Sequence, residues 1–243
     1  MSEDGKSSKG GMQLFGKYRG TVQSNMDPLM LGRVQVSVPA VYGTDPSGWA
    51  LPCMPFGGSG MGFSALPAVG ALVWVEFEQG NPELPIWSGC FWGTPADVPP
   101  ILLAPPYQKV LLQTLGGHSV LLDDTPGVGG ITLTTATGET LTMNAQGITL
   151  QTGSGFELSL APQGITLQTP DGDGLSAAAQ GVTLQTAAGD QLSLASEGSA
   201  FQSAAGAKVS IDPSGITVDN GMGATVALTG PQVSINNGAL GVM

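Results

Sequence analysis

Gly130-Ile131-Thr132-Leu133 returns as Gly147-Ile148-Thr149-Leu150, Gly164-Ile165-Thr166-Leu167, Gly181-Val182-Thr183-Leu184 and Gly215-Ile216-Thr217-Val218. The spacing is seventeen residues or a multiple of it, and the missing copy, Gly198-Ser199-Ala200-Phe201, falls in phase. A degenerate last copy stands at Gln232-Val233-Ser234-Ile235. A second glycine column (Gly138, Gly155, Gly172, Gly189, Gly206, Gly223) keeps the same period. So does an apolar column of Leu141, Leu158, Leu175, Leu192, Val209 and Val226. A short fixed period held by three columns is the mark of a solenoid or a related rod.

Each repeat carries two strands. In the first, Ile131 and Leu133 face one way and Thr132 and Thr134 the other. In the second, Leu141 and Met143 oppose Thr140 and Thr142. Alternation with one apolar face is the half-buried strand pattern. Glycine at the corners permits backbone angles closed to other residues. Thr, Ser and Gln give the outer face a polar surface with good strand propensity. Only about two side chains per strand point inward, so one chain alone has a thin core and open edges. Three chains wound together, with their strands alternating up each face, are the expected solution. A single-chain, two-sheet solenoid is the competing one.

Ahead of the repeats, Tyr18–Ser24, Gly32–Pro39, Gly48–Met54, Ala71–Glu78 and Leu84–Phe91 read as short strands between Pro and Gly breaks. Val34, Val36 and Val38 share a face, as do Val73, Val75 and Phe77. Five strands in about 75 residues fit a small barrel of the OB type. The expected division is a flexible arm (1–16), the OB-type domain (17–93), a Pro-rich connector (94–117), a β-helical needle (118–237) and a tip segment (238–243). The fold class is therefore all-β, an OB-type barrel followed by a β-helix with 17-residue repeats, either triple-stranded and intertwined in a homotrimer or coiled within a single chain.

Composition narrows the function. The chain has 243 residues and a formal charge of -11. Residues 109–243 carry two Lys/Arg against ten Asp/Glu. Such a surface repels phosphate, so no nucleic acid is expected as a partner. The 38 glycines and 18 prolines argue against a helical bundle. No apolar run of about 18 residues exists to span a membrane as a helix. The polar start, with no apolar run behind it, predicts assembly in the cytoplasm without a signal peptide. Cys53 and Cys90 read as small buried apolar residues, a single disulfide being the alternative.

Two segments resemble the contractile-tail spike family, which includes phage baseplate assembly protein V and the VgrG proteins. The first runs through Gly32-Arg33-Val34-Gln35-Val36, Trp49-Ala50, Gly62-Phe63, Leu66-Pro67-Ala68-Val69-Gly70, Val73-Trp74-Val75-Glu76-Phe77-Glu78-Gln79-Gly80-Asn81-Pro82, Pro85-Ile86 and Gly89. Asn81 stands where members commonly carry an acidic residue. The second is Gly117-His118-Ser119-Val120-Leu121-Leu122-Asp123-Asp124-Thr125-Pro126-Gly127, similar to the family's link between OB domain and needle.

The resemblance implies a homotrimeric, non-enzymatic spike of a contractile injection machine (phage tail, tailocin or extracellular injection system). It would puncture a target envelope mechanically. About sixteen residues precede the first strand, where VgrG proteins carry a hub, so a separate hub protein is implied. Gly93 to Gly117 leaves no room for an inserted lysozyme domain, and the only histidine, His118, is not at a His-x-His iron-binding tip. A sharpening protein of the PAAR type is expected instead. Its docking site would be an apolar platform of three copies of Ala239, Leu240, Val242 and Met243, rimmed by Asn236 and Asn237.

The chemistry-bearing residues have plainer readings. His118 with Asp123 and Asp124 could do acid–base work, but the segment is a strand and Asp124 before Thr125-Pro126-Gly127 is a turn former. Asp171-Gly172-Asp173-Gly174 is too poor in oxygen ligands for calcium. Trp49, Trp74, Trp87 and Trp92 read as core and interface packing rather than base-stacking platforms. No catalytic residue, cofactor or metal is expected. The column Thr132, Thr149, Thr166, Thr183 and Thr217 suggests ice binding only superficially, because its neighbouring column is not threonine. A trimeric receptor-binding tail fibre or adhesin is the alternative function.

Overall fold

Val22, Val34, Val36, Val38, Val73 and Val75 are completely buried, and they build the core of the N-terminal unit. The computed structural model describes residues 13–105, 108–236 and 239–242, with the side chains of 241 and 242 left out. It divides into two compact units, 1–103 and 104–243, each described by itself below.

In the first unit β1 (Tyr18–Ser24), β2 (Val34–Ser37) and β3 (Pro46–Pro52) are followed by a two-residue hairpin, β4 (Gly57–Gly58) and β5 (Met61–Gly62). Then come β6 (Leu72–Phe77) and β7 (Pro85–Cys90). Five of these strands close a barrel in the order β1-β2-β3-β7-β6. All neighbours are antiparallel except β3 and β7, where Leu51 faces Ile86 and Pro52 faces Trp87. The expected alternation holds: Val34 and Val36 on β2, Val73, Val75 and Phe77 on β6, and Val38 just beyond β2 point inward.

The second strand ends earlier than its sequence suggests. Pro39, preset near the helical φ, starts one turn of helix, Pro39–Tyr42. Tyr42 anchors the turn by donating its hydroxyl hydrogen to Pro82 O at 2.6 Å. Where the β2–β3 register shifts, Ser47 Oγ accepts from Val36 N and donates to Gly48 O, so a buried hydroxyl fills the gap in the ladder.

Asp27 shapes the loop between β1 and β2. Its carboxylate accepts from the amides of Leu29, Leu31 and Arg33 and from the Arg33 guanidinium, 2.6 Å away. The guanidinium and these amide donors hold the carboxyl well below the usual carboxylate range.

The cysteines depart from expectation. Both are free and exposed, at the ends where β3 and β7 run out, and they line one cavity with Trp87. Partial burial pushes the Cys90 thiol up. Of the tryptophans only Trp87 joins the core, donating from Nε1 to Gly32 O. Trp74 stacks on Phe91 under Arg19, Trp49 lies under Arg33, and Trp92 is exposed.

The second unit is one sheet of sixteen strands in strict sequence order, from Lys109–Gln113 to Leu240–Val242. Each strand is antiparallel to the one before it. Fourteen of them, Ser119–Asp123 to Gln232–Ile235, occupy the stretch read as the needle. The other two lie in segments read as connector and tip, so those segments extend the sheet at both ends.

The expected alternation of strands from different chains is not what the structure has. Every strand between the first and last is hydrogen-bonded on both sides to strands of its own chain. The reason is loop length. From Gly130 to Gly198 the turns alternate between two residues, as in Ala145-Gln146, and five, as in Thr152–Phe156. A chain that reverses in two residues must lay its next strand beside the last. The two-sheet solenoid is excluded as well, since all sixteen strands belong to one sheet in sequence order.

Candidate assembly interface

Strict antiparallel register turns the seventeen-residue repeat into continuous columns across the sheet. One column runs Val110, Leu122, Ile131, Met143, Ile148, Leu160, Ile165, Ala177, Val182, Leu194, Ser199, Ile211, Ile216, Leu228, Val233 and Val242, each paired with the next. We call it column A. Column B lies two residues away on the same face: Leu112, Val120, Leu133, Leu141, Leu150, Leu158, Leu167, Leu175, Leu184, Leu192, Phe201, Val209, Val218, Val226, Ile235 and Leu240. Directly paired apolar side chains stabilise a sheet locally. They do not cover it. Ile131 remains 39% exposed and Leu150 47%, and the only extended buried cluster among the described residues is that of the barrel.

The opposite face is polar. Its middle column is hydroxyl-rich: Thr132, Thr142, Thr149, Ser159, Thr166, Ser176, Thr183 and Ser193 pair in succession. One sheet with one bare apolar face cannot be a finished structure in water, because a contiguous apolar patch of this size marks a contact surface.

Two glycine columns set the turns. Gly147, Gly164, Gly181, Gly198 and Gly215 open strands after the two-residue turns with φ between 135° and 151°. A Cβ on Gly181 would also stand 2.1 Å from Leu194 O, so side chains are excluded twice over. Gly138, Gly155, Gly172, Gly189, Gly206 and Gly223 close the five-residue turns with φ between 92° and 99°.

A further column went unread in the sequence. Thr114, Thr135, Thr152, Thr169, Thr186 and Asn220 open the long turns, and each side-chain oxygen accepts the amide hydrogen four residues on. Its signal was available, since Thr152, Thr169 and Thr186 recur at the repeat spacing.

Neighbouring turns are also stapled together. Asp173 accepts from Ala187 N at 2.8 Å and Asp190 from Ala204 N at 2.9 Å. His118 belongs to this edge: its Nδ1 accepts from Ala136 N at 3.2 Å. Asp123 instead bonds the Thr125 amide and hydroxyl and lies 3.6 Å from Lys109 Nζ, which together lower its pKa. His118 and Asp123 thus make separate structural contacts, and Asp124 donates its backbone amide to Gln108 O. Among the described residues no group of three or more His, Cys, Asp or Glu gathers as a metal site, Asp171 and Asp173 included.

Of the proposed tip residues, Asn236 has a positive φ and its Oδ1 accepts from Thr225 N. Ala239 is exposed, and Leu240 pairs with Ile235 at the end of column B. Val242 faces Val233 in register, with only its backbone described. Asn237 and Met243 lie outside the described residues.

The geometry thus gives a closed barrel in one unit and, in the other, a long repetitive sheet with a bare apolar face. Residues 18–92 match the family model described as the type VI secretion system/phage-baseplate injector OB domain. Residues 109–163 and 185–241 match that of the phage baseplate V C-terminal trimerisation domain. The chain belongs to the phage baseplate V family, and its role is that of a structural baseplate component of a phage tail or injection particle. The trimerisation domain supports a homotrimer. The unmatched stretch, 164–184, is close to one coil of the repeat and keeps its register. No curated protein matches the chain. No helix among the described residues is long and apolar enough to cross a membrane.

Proposed function

We propose that the chain is the membrane-puncturing central spike of a contractile injection machine, working by mechanics and not by catalysis. Three sheets, one per chain, turn their apolar columns to a common axis and their hydroxyl faces outward. The observation that carries this reading is the pair of apolar columns running through all sixteen strands and left bare in one chain. Axial force is then shared by a continuous backbone ladder within each chain and by apolar contact between chains. The acidic, polar exterior keeps the needle from adhering to anionic envelope surfaces.

A separate hub protein would hold the OB domains. A PAAR-type protein would cap the far end at Asn236, Asn237, Ala239, Leu240, Val242 and Met243. The last strand supports this cap: among the described residues it stands at the edge of the sheet beside exposed Leu240, a surface that invites covering. Ala239→Arg should leave the trimer intact and abolish pull-down of the cognate PAAR-type protein. Retained capture would place the cap elsewhere. Puncture is tested with particles from a producer lacking this gene and complemented in trans. Wild-type spike should restore depolarisation of target cells, whereas particles that contract and depolarise equally well with a trimerisation-defective spike would refute the role.

A further inference from the structure

The trimer interface has a built-in weakness. Its columns repeat nearly identical Leu, Ile and Val pairs every coil, so copies displaced by one coil along the axis would meet almost the same surface. Weakly specified registers slip unless something distinguishes them. Two strands depart from the repeat: Gly174–Ala178 places the small Ala177 in column A, and only Gly198–Gln202 alters both columns. Gly198–Gln202 replaces the usual Ile-Thr-Leu with Ser199-Ala200-Phe201. Phe201 protrudes from column B, 52% exposed between Leu192 and Val209. Ser199 makes a notch in column A between Leu194 and Ile211, whose flanks are uncovered to 49% and 55%.

Threefold symmetry about an axis along the strand-stacking direction joins the column B half of one copy to the column A half of the next. A knob and a notch on the same strand therefore meet when copies are level. We propose that Phe201 and Ser199 form a register key, with each Phe201 seated over the Ser199 notch of the neighbouring copy. This rests on the trimer reading and adds to it the residues that select one alignment. A slip of one coil sets Phe201 against Val182 or Ile216 and leaves the notch facing Leu184 or Val218. Offsets around a closed trimer sum to zero, so one slipped copy overfills one contact and empties another at each of its two interfaces and leaves the third level.

The test uses the full chain with Cys53 and Cys90 changed to serine, as two differently tagged forms made together. Ile165→Cys with Leu167→Cys reports the level alignment, and Ile165→Cys with Leu184→Cys reports a one-coil slip. With the native key, oxidation should cross-link the first pair and leave the second at background. Ser199→Ile with Phe201→Leu restores the repeat consensus, and the slipped cross-link should rise at least tenfold in a preparation that still sediments as a trimer. Ser199→Phe with Phe201→Ser, which inverts knob and notch, should keep the single level alignment. A slipped cross-link that stays at background in the consensus variant overturns the key, as does a consensus variant that no longer trimerises. If native-key chains sediment as monomers and neither pair cross-links, the trimer reading itself has failed.

Discussion

Leu184→Asp should abolish trimer formation, whereas Gln185→Asp should not. The two positions are adjacent on one strand and both exposed in a single chain, but they point to opposite faces. Leu184 sits in column B between Leu175 and Leu192, 48% exposed. Burying a whole leucine contributes about 2 kcal/mol, so covering the exposed half contributes roughly 1 kcal/mol per chain, or about 3 per trimer. An uncompensated carboxylate forced into the same contact costs at least about 3 kcal/mol. Three of them, close to one another near the axis, add roughly 9. The total is about 12 kcal/mol per trimer, some eight decades in the association constant at about 1.4 kcal/mol per decade. Gln185 pairs with Gly174 and Gln191 on the hydroxyl face, where a carboxylate stays in water and changes stability within about 0.5 kcal/mol. Sedimentation velocity at micromolar concentration separates the outcomes. Leu184→Asp trimers as stable as Gln185→Asp trimers would mean that the apolar columns are not the interface.

Further outcomes follow from local geometry. Gly181→Ala should cost at least about 2 kcal/mol in thermal or denaturant unfolding, because φ is 141° and the new Cβ meets Leu194 O. Gly174→Ala, at ordinary φ and with 3.5 Å to its nearest neighbour, should be neutral or stabilising by up to about 1 kcal/mol. Thr169→Val should cost about 1 kcal/mol per chain through the lost bond to the Asp173 amide, read in the same unfolding experiment. Asp27 is held below its unfolded value, so its contribution is present above pH of about 4 and is lost as pH falls toward the folded pKa. The acid-side drop in melting temperature should shrink in Asp27→Asn, measured by calorimetry between pH 7 and 2.

The barrel was readable almost strand by strand, because Val34, Val36, Val38, Val73 and Val75 alternate and burial of one face is decided locally. Its departures arose where a few atoms competed with the pattern. Pro39 turned a strand end into helix, and Cys53 and Cys90, small enough for a core, ended up outside because their strands end there. The His118 contact and the Asp173 and Asp190 staples join residues 14 to 18 apart across successive turns. Their partners are backbone amides, which carry no signature in sequence.

The repeat alone determined that residues 130 to 235 form short strands with two apolar columns and a hydroxyl column, since period two and a fixed coil leave no other regular structure. It left open whether one chain covers its own apolar face, because a two-sheet coil would do so and a single meander would not. The sequence did not decide how the strands are joined. Interleaved chains, a two-sheet coil and a single meander all present the same inward and outward residues, because the side-chain period is blind to which strand lies alongside. The tertiary structure decided for the meander. Reversals of two residues bring each strand's amides and carbonyls first to those of its own neighbour, and those bonds leave no open ladder for another chain to enter.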